Sequence, residues 1–475
     1  MKQSRRVFIK RLMAGAALPG LPLAMNTAAS IGPWHEALAN QARQLDTGTP
    51  LKLLIPHGSS ANVKAATDEF TRLSAITCEI EEVPVDEINV ELILRSGAAD
   101  DLIDVALPAT FALTDLVQAN AILALDDYAT KYEPAEFDTG YLYRKGDHYR
   151  GKLFGYQTDG DAYLLFYNKA MMQSPSENTA YFEQTGKTLS PATTWQDLDT
   201  MMAFFHRPEQ GQYGGSLFRN PGYLVWEWWA RFHAKGELPF THDMNVNIAS
   251  GAGVAALDEL IAASDSLSPG SRTNGLFENW ADFAKGNVFC NIGWGGTQKY
   301  LMSDANMADN LIHSPLPGPM VDGEPSTMGY FNWGWNYTVS THSSQPELAF
   351  LLALFCASPA VSTLAVREPD GFFDPFHDSH YADKEIQAVY GSSFLQAHKQ
   401  SLAHCLPDLY ISGQSNYLDV LRQHILAAVQ REMSSVEAMN ACAQSWSHIT
   451  RRLGREDQAQ QWRNLVASYP ASLAQ

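Results

Sequence analysis

The sequence predicts an α/β protein of two or three domains, and three observations carry that prediction. Short apolar runs that close on loops alternate with stretches of helical periodicity. The chain has 475 residues, beyond the ~250–300 at which single cores stop growing. Hydrophobic residues make up 45% and charged residues 18%, enough apolar material for a core and no signature of disorder. Lys+Arg 33 against Asp+Glu 52 leaves a formal charge of −19, with a pI near 5.1. Phosphate backbones and anionic lipid surfaces need a basic partner, so neither nucleic acid nor a membrane surface is expected to bind.

The N-terminus reads as an export leader. Ser4-Arg5-Arg6-Val7-Phe8-Ile9-Lys10 sets paired arginines ahead of an apolar pair and a lysine, the twin-arginine signature. The apolar run from Leu12 to Met25 is broken by Gly15, Pro19, Gly20 and Pro22, too short and too interrupted for a span of about 20 residues. Cleavage is expected after Ala29 (Thr27-Ala28-Ala29) or after Ala39 (Ala37-Leu38-Ala39), so residues 1–39 are set apart as leader. No cysteine adjoins either position to carry a lipid, and the product is expected to be soluble in the periplasm. The cysteines Cys78, Cys290, Cys356, Cys405 and Cys442 are widely spaced and odd in number, which argues against a disulfide framework or metal cluster. They read as small buried apolar residues.

Residues 51–55 form an apolar strand that ends in the loop Pro56-His57-Gly58-Ser59-Ser60. Residues 61–75 place Val63, Ala66, Phe70 and Leu73 on one helical face. A strand at 77–83, a helix at 90–96 and a strand at 104–107 closing on Pro108-Ala-Thr110 continue the alternation. Asp126-Asp127 reads as a helix start. Gly151-Lys-Leu-Phe-Gly-Tyr156 turns into Asp159-Gly160-Asp161 and a strand at 162–167. Thr194 is placed to cap the helix that opens with Trp195. Residues 211–240 are rich in aromatics, with Trp226, Trp228 and Trp229 at helical spacing. A helix at 279–286 stops on Gly286, and a strand at 288–292 ends at Gly293-Trp294-Gly295-Gly296. Pro315, Pro317 and Pro319 read as a linker, and residues 330–335 as the opening of a strand. An apolar helix at 347–356 and continuous helix over 416–467, with Trp446 and Trp462 inward, complete the pattern.

These landmarks, in this order, resemble the extracellular solute-binding proteins of ABC importers, the sugar-binding family 1 that includes maltose-binding protein. Gly151-Lys-Leu-Phe-Gly-Tyr-Gln157 followed by Leu165-Phe-Tyr-Asn-Lys169 is similar to the family's G-K-x-Y-G-x-P and Y-Y-N-K signature, with Gln157 where proline is usual. Thr194-Trp195-Gln-Asp-Leu198, Phe283-Ala-Lys-Gly286, Leu123-Ala-Leu-Asp-Asp-Tyr128, Ser343-Ser-Gln-Pro-Glu347 with its helix, and Gly371-Phe-Phe-Asp-Pro375 fit in register. The resemblance implies a two-lobed, type II periplasmic-binding-protein fold with hinge strands and a central cleft. By those motifs lobe 1 spans 46–157 plus 317–360, and lobe 2 spans 158–316 plus 361–475. It further implies a monomer that delivers a sugar or polyol to an ABC permease, with no cofactor and no catalysis.

A sugar-gripping cleft needs aromatic faces for the C–H side of the ring and a few carboxylates or amides for hydroxyls. The 11 Trp and 19 Tyr suit that demand. Asp161 falls at the crossing where the family places an acid on sugar hydroxyls, with Asp159 two residues before it. Trp294 sits at a strand end among glycines that favour close ligand approach. Trp333 and Trp335 share one parity, and Trp333 is the favoured contact. His57, Ser59 and Thr110 lie in loops at strand C-termini, where open α/β sheets bind ligands. Asn220 and Tyr223 occupy a Pro-Gly loop, and Phe372 enters from the last crossing. Of the three tryptophans at 226–229, two are expected in the core and one near the site. Arg219 would serve a ligand carboxylate.

Enzyme motifs are missing: no G-x-S-x-G, H-E-x-x-H, P-loop or dinucleotide glycine pattern occurs. The carboxylate pairs leave a secreted carbohydrate-active enzyme as an alternative, as they leave a binder of a different small solute. His377 and His380 are the one close histidine pair, too little for a metal site.

Overall fold

The computed structural model describes residues 31–96 and 102–473, so the twin-arginine motif and the cleavage position at Ala29 lie outside the described residues. β1 (Leu51–Pro56) is buried everywhere except Lys52, as a strand covered on both faces must be. Helices Ser60–Ser74 and Ile88–Arg95 carry the chain over to β2 (Cys78–Val83) and β3 (Val105–Ala106), both parallel to β1. A short hairpin of β4 (His148–Tyr149) and β5 (Lys152–Leu153) precedes β6 (Tyr156–Gln157). The chain then leaves this sheet. β7 (Leu164–Asn168), β8 (Tyr213–Gly215), β9 (Val288–Gly293), β10 (Leu311–Val321) and β11 (Glu324–Tyr330) build a second one. β12 (Asn336–Val339) returns to the first sheet and β13 (Cys405–Leu406) completes the second. The orders are β2-β1-β3-β12-β6 and β13-β11-β10-β7-β9-β8, one sheet per lobe. The α/β two-lobed architecture expected from the motifs is the one observed.

In lobe 1 the helix Pro346–Ala357 is buried from Leu348 to Ala357 on every face, between β12 and the helices Pro33–Leu45 and Ser60–Ser74. An all-round apolar helix has no other stable place in a soluble lobe. With helix Pro359–Arg367 it meets the length of a membrane span, but the pair bends by 67°. No single helix among the described residues is long and apolar enough to cross a membrane. Lobe 2 packs helix Leu224–His233 against Gly251–Ala263 and the C-terminal helices, with Phe240 stacked on Trp446 at 5.0 Å. Inside it Glu227 joins Arg219 at 2.6 Å and Arg231 at 2.9 Å, all three nearly without exposure.

Several expectations need correction. Pro315, Pro317 and Pro319 are not a linker but part of β10: Pro315 ends the ladder with β7, and Pro317 starts a bulge in the ladder with β11. Prolines are tolerated where pairing ends or bulges. Residues 331–335 do not open a strand; they connect β11 to β12. The helical stretch at 416–467 is three helices, Gln414–Val429, Ser435–Leu453 and Arg455–Val466, the last two separated at Gly454 with φ +89°. The boundary at 316/317 falls within β10, and helix Pro359–Arg367 packs on Ser60–Ser74 rather than in lobe 2. Lobe 1 also begins earlier than residue 46. Helix Pro33–Leu45 buries Leu38, Ala39 and Ala42 against helices Pro346–Ala357 and Ser60–Ser74, so a cut after Ala39 would sever it.

Candidate functional site

The chain passes between the lobes three times, at 158–163, 331–335 and 368–376, and these passages are bonded to one another. Thr158 N–H donates to Trp335 O at 2.9 Å, and Tyr163 N–H to Tyr330 O at 2.9 Å. Gly160 N–H donates to Asp374 O at 3.2 Å. Asp374 N–H in turn donates to the Asp159 carboxylate at 2.6 Å. Gly160 is required here, since a Cβ would stand 2.1 Å from Pro375 O. Gly334, at φ +53°, donates its N–H to Asp161 Oδ2 at 3.3 Å.

Beside these passages lies a narrow cavity of about 20 Å³. Trp294 reaches it from the end of β9, and its Nε1–H donates to Asn332 Oδ1 at 3.0 Å. Trp333 stacks on Tyr223 with ring centres 5.6 Å apart and planes 1° from parallel. Trp226 meets Trp333 edge-on at 5.1 Å, while Trp228 and Trp229 are in the lobe 2 core, as the helical spacing predicts. Trp335 lies 5.9 Å from Trp333 and 5.8 Å from Phe372, and Trp280 closes the lobe 2 side. The hydroxyl of Tyr223 donates to Asp86 Oδ1 at 3.2 Å, a bond from lobe 2 to lobe 1.

Five expected contacts therefore line one cavity: Asp161, Trp294, Trp333, Tyr223 and Phe372. The other five do not line it. Thr110 is buried and bonds Trp333 O through both its N–H and its hydroxyl, so it holds that ring's backbone. Asn220 accepts from Tyr223 N–H at 3.0 Å and does the same for Tyr223. Asp159 holds Asp374. Ser59 is buried and donates to Pro56 O at 2.8 Å, whereas His57 is exposed beside Glu82 at 4.0 Å. Arg219 is spent on Glu227, which removes it as a ligand partner. Trp335 shares the parity that selected Trp333, and both line the cavity. Trp280 went unnoticed because it stands in a helix whose spacing with Phe283 reads as core. Asp374 lies within Gly371-Phe-Phe-Asp-Pro375, a motif that marked the passage without marking the acid.

The carboxylates of Asp159, Asp161 and Asp374 come within 4.8 Å of one another. Burial, then the Asp374 charge, pushes Asp159 well above the usual carboxylate range. Burial and the charges of Asp159 and Asp374 do the same to Asp161. Burial pushes Asp374 up to about 6, opposed by Lys299, the Tyr390 hydroxyl at 2.8 Å and Gly295 N–H at 2.7 Å. Lys299 is lowered by burial to about 8, with Asp374 and Asp159 acting the other way. Its ammonium donates to the carbonyls of Glu368 at 2.8 Å and Phe373 at 3.0 Å. The three oxygens are spaced for one hard cation, yet the Lys299 ammonium already supplies positive charge beside them.

Residues 58–362 match the model of a family described as bacterial extracellular solute-binding protein. No curated protein matches the chain. Among solved structures the fold is similar to an ABC transporter solute-binding protein from Agrobacterium radiobacter K84 in complex with ribitol. That match has a TM-score of 0.71 and 15% identity, over 85% of this chain and 99% of that one. An ABC transporter solute-binding protein from Thermotoga lettingae TMO, bound with α-D-tagatose, gives 0.70 and 16% over 84% and 99%. The maltose-bound MalE3 of T. maritima gives 0.69 and 17% over 84% and 100%.

Proposed function

Because the chain belongs to the bacterial extracellular solute-binding proteins, we propose that it captures a small sugar or polyol between its lobes and delivers it to an ABC permease. The observation that carries this reading is a cavity with Trp294, Trp333 and Trp335 as walls and Asp161 at the interlobe passage. Aromatic faces take the C–H side of a sugar, and the acid takes a hydroxyl. Relatives of the same fold were solved with ribitol, tagatose and maltose, which supports this ligand class. The cavity of about 20 Å³ has room for about one water, so the ligand is proposed to enter with the lobes parted.

Capture works through a hinge: contacts from both lobes stabilise the closed form over the open one. The ligand leaves chemically unchanged. We place the protein in the periplasm as a monomer, exported by the twin-arginine route and cleaved after Ala29, which leaves helix Pro33–Leu45 whole.

Thermal shift against a panel of neutral sugars and polyols tests the reading. A ligand at a hundredfold its Kd adds about 2.7 kcal/mol to the native state. Trp294→Ala and Asp161→Ala are expected to weaken the best ligand at least tenfold, about 1.4 kcal/mol. A panel without any stabilising sugar or polyol rejects the ligand class. A product that differs in mass from the ligand supplied rejects binding without chemistry.

A further inference from the structure

We propose that the captured ligand carries a protonated amine beside its hydroxyls, as in an amino sugar or amino alditol; this rests on the sugar-or-polyol reading of the cavity and narrows it. Asp161 is the carboxylic acid in the cavity wall, and no lysine, arginine or histidine among the described residues lines it. The rings of Tyr223, Trp280, Trp294, Trp333 and Trp335 line it as well. Indole and phenol faces attract a cation, and the attraction grows as water is excluded.

Charge behind the wall acts in the same direction. Asp159, Asp161 and Asp374 cluster within 4.8 Å with a single ammonium, Lys299, beside them. Lys299 is buried and its ammonium donates to two backbone carbonyls, so it is not available as a ligand contact. Asp159 Oδ2 is buried with no hydrogen-bond partner among the described residues. At the far side, the Tyr223 hydroxyl sits in the field of Asp86 and Glu278. Clustered carboxyls held protonated by burial and by one another gain a counter-charge from a cationic guest and disfavour an anion.

A second set of groups requires oxygen acceptors as well. The Nε1–H groups of Trp280 and Trp335 are buried without partners, and both residues line the cavity. An ammonium alone leaves those donors unsatisfied, while hydroxyl oxygens accept from them. A guest with both groups answers both features of the wall.

The test is calorimetric titration of the full-length mature protein at pH 7 with matched pairs: glucosamine against glucose, galactosamine against galactose, and 1-amino-1-deoxymannitol against mannitol. Choline serves as a cation without the polyol frame. At least one amine is expected to bind tenfold or more tighter than its neutral partner. Its binding should release protons, read as a dependence of the heat on buffer ionisation, because a cation beside the acidic cluster favours its ionised form. Asp161→Asn should bring the amine-to-neutral ratio toward one, and the wild-type comparison stands even if that variant folds poorly. Equal or tighter binding of the neutral partners overturns the amine and leaves sugar capture intact. Binding of choline with neither member of any pair keeps the cation and overturns the sugar reading. Failure of every probe to bind overturns the inference.

Discussion

Replacing Asp374 with alanine tests the tie between the third passage and both lobes. The carboxylate accepts from Gly295 N–H at 2.7 Å and from the Tyr390 hydroxyl at 2.8 Å, and it faces Lys299. Tyr390 keeps a second acceptor, Phe373 O at 2.7 Å, so its loss is small. Gly295 N–H has no such substitute, and a buried donor left unpaired costs about 1–3 kcal/mol. Lys299 loses its foremost favourable charge but keeps its bonds to the carbonyls of Glu368 and Phe373. Relief of repulsion at Asp159 and Asp161 offsets part of this. The expected net loss is about 1–3 kcal/mol. Differential scanning calorimetry at pH 7 is the assay, since two lobes need not melt as one unit. A lobe of this size shifts by about 2–4 °C per kcal/mol, so a fall of roughly 2–12 °C is expected. Asp374→Asn keeps an acceptor for Gly295 and should lose clearly less. A change within about 0.5 kcal/mol for alanine, or asparagine as damaging as alanine, refutes the reasoning.

Gly160→Ala places a Cβ 2.1 Å from Pro375 O, so two passages must separate; a loss of about 1–3 kcal/mol in thermal unfolding and weaker ligand binding are expected. Glu227→Ala strands the Arg219 guanidinium in the lobe 2 core, while Arg231 keeps Asp199 at 2.7 Å, and should cost about 3–5 kcal/mol by the same calorimetry. Asp408 is fully buried, and burial pushes its carboxyl from 3.8 up to about 6. The folded state thus holds that proton more tightly than the unfolded chain, and stability falls as pH rises from about 4 to 6. Asp408→Asn should remove on the order of 3 kcal/mol of that slope, read from melting temperatures at pH 4 and 7.

What the sequence disclosed was local in origin. The Gly151 to Lys169 motif located the first passage because turn, strand and helix start are written in consecutive residues. Trp294 was visible because a strand end and two glycines flank it. Thr194 capped its helix as expected, accepting from Asp197 N–H at 3.1 Å. The failures share a cause in partners distant along the chain. Arg219 looked free until Glu227 and the Leu260 carbonyl closed on it. Asp374 gained its place through Gly295, 79 residues away, and Asp159, 215 residues away. Thr110 and Asn220 were expected to touch the ligand but act on Trp333 and Tyr223 rather than on the cavity. The prolines of β10 defeated a composition rule because their missing donors fall where the ladder changes partner or bulges.

Threefold linkage between the halves has a mechanical corollary. A single tether would allow swivel, twist and translation, whereas three neighbouring passages, cross-stitched by Thr158, Gly160 and Asp374, resist all but a bend about their common line. Forces exerted on a guest from either side then sum along one degree of freedom, and a weak grip on each flank suffices to shift the gape of the molecule.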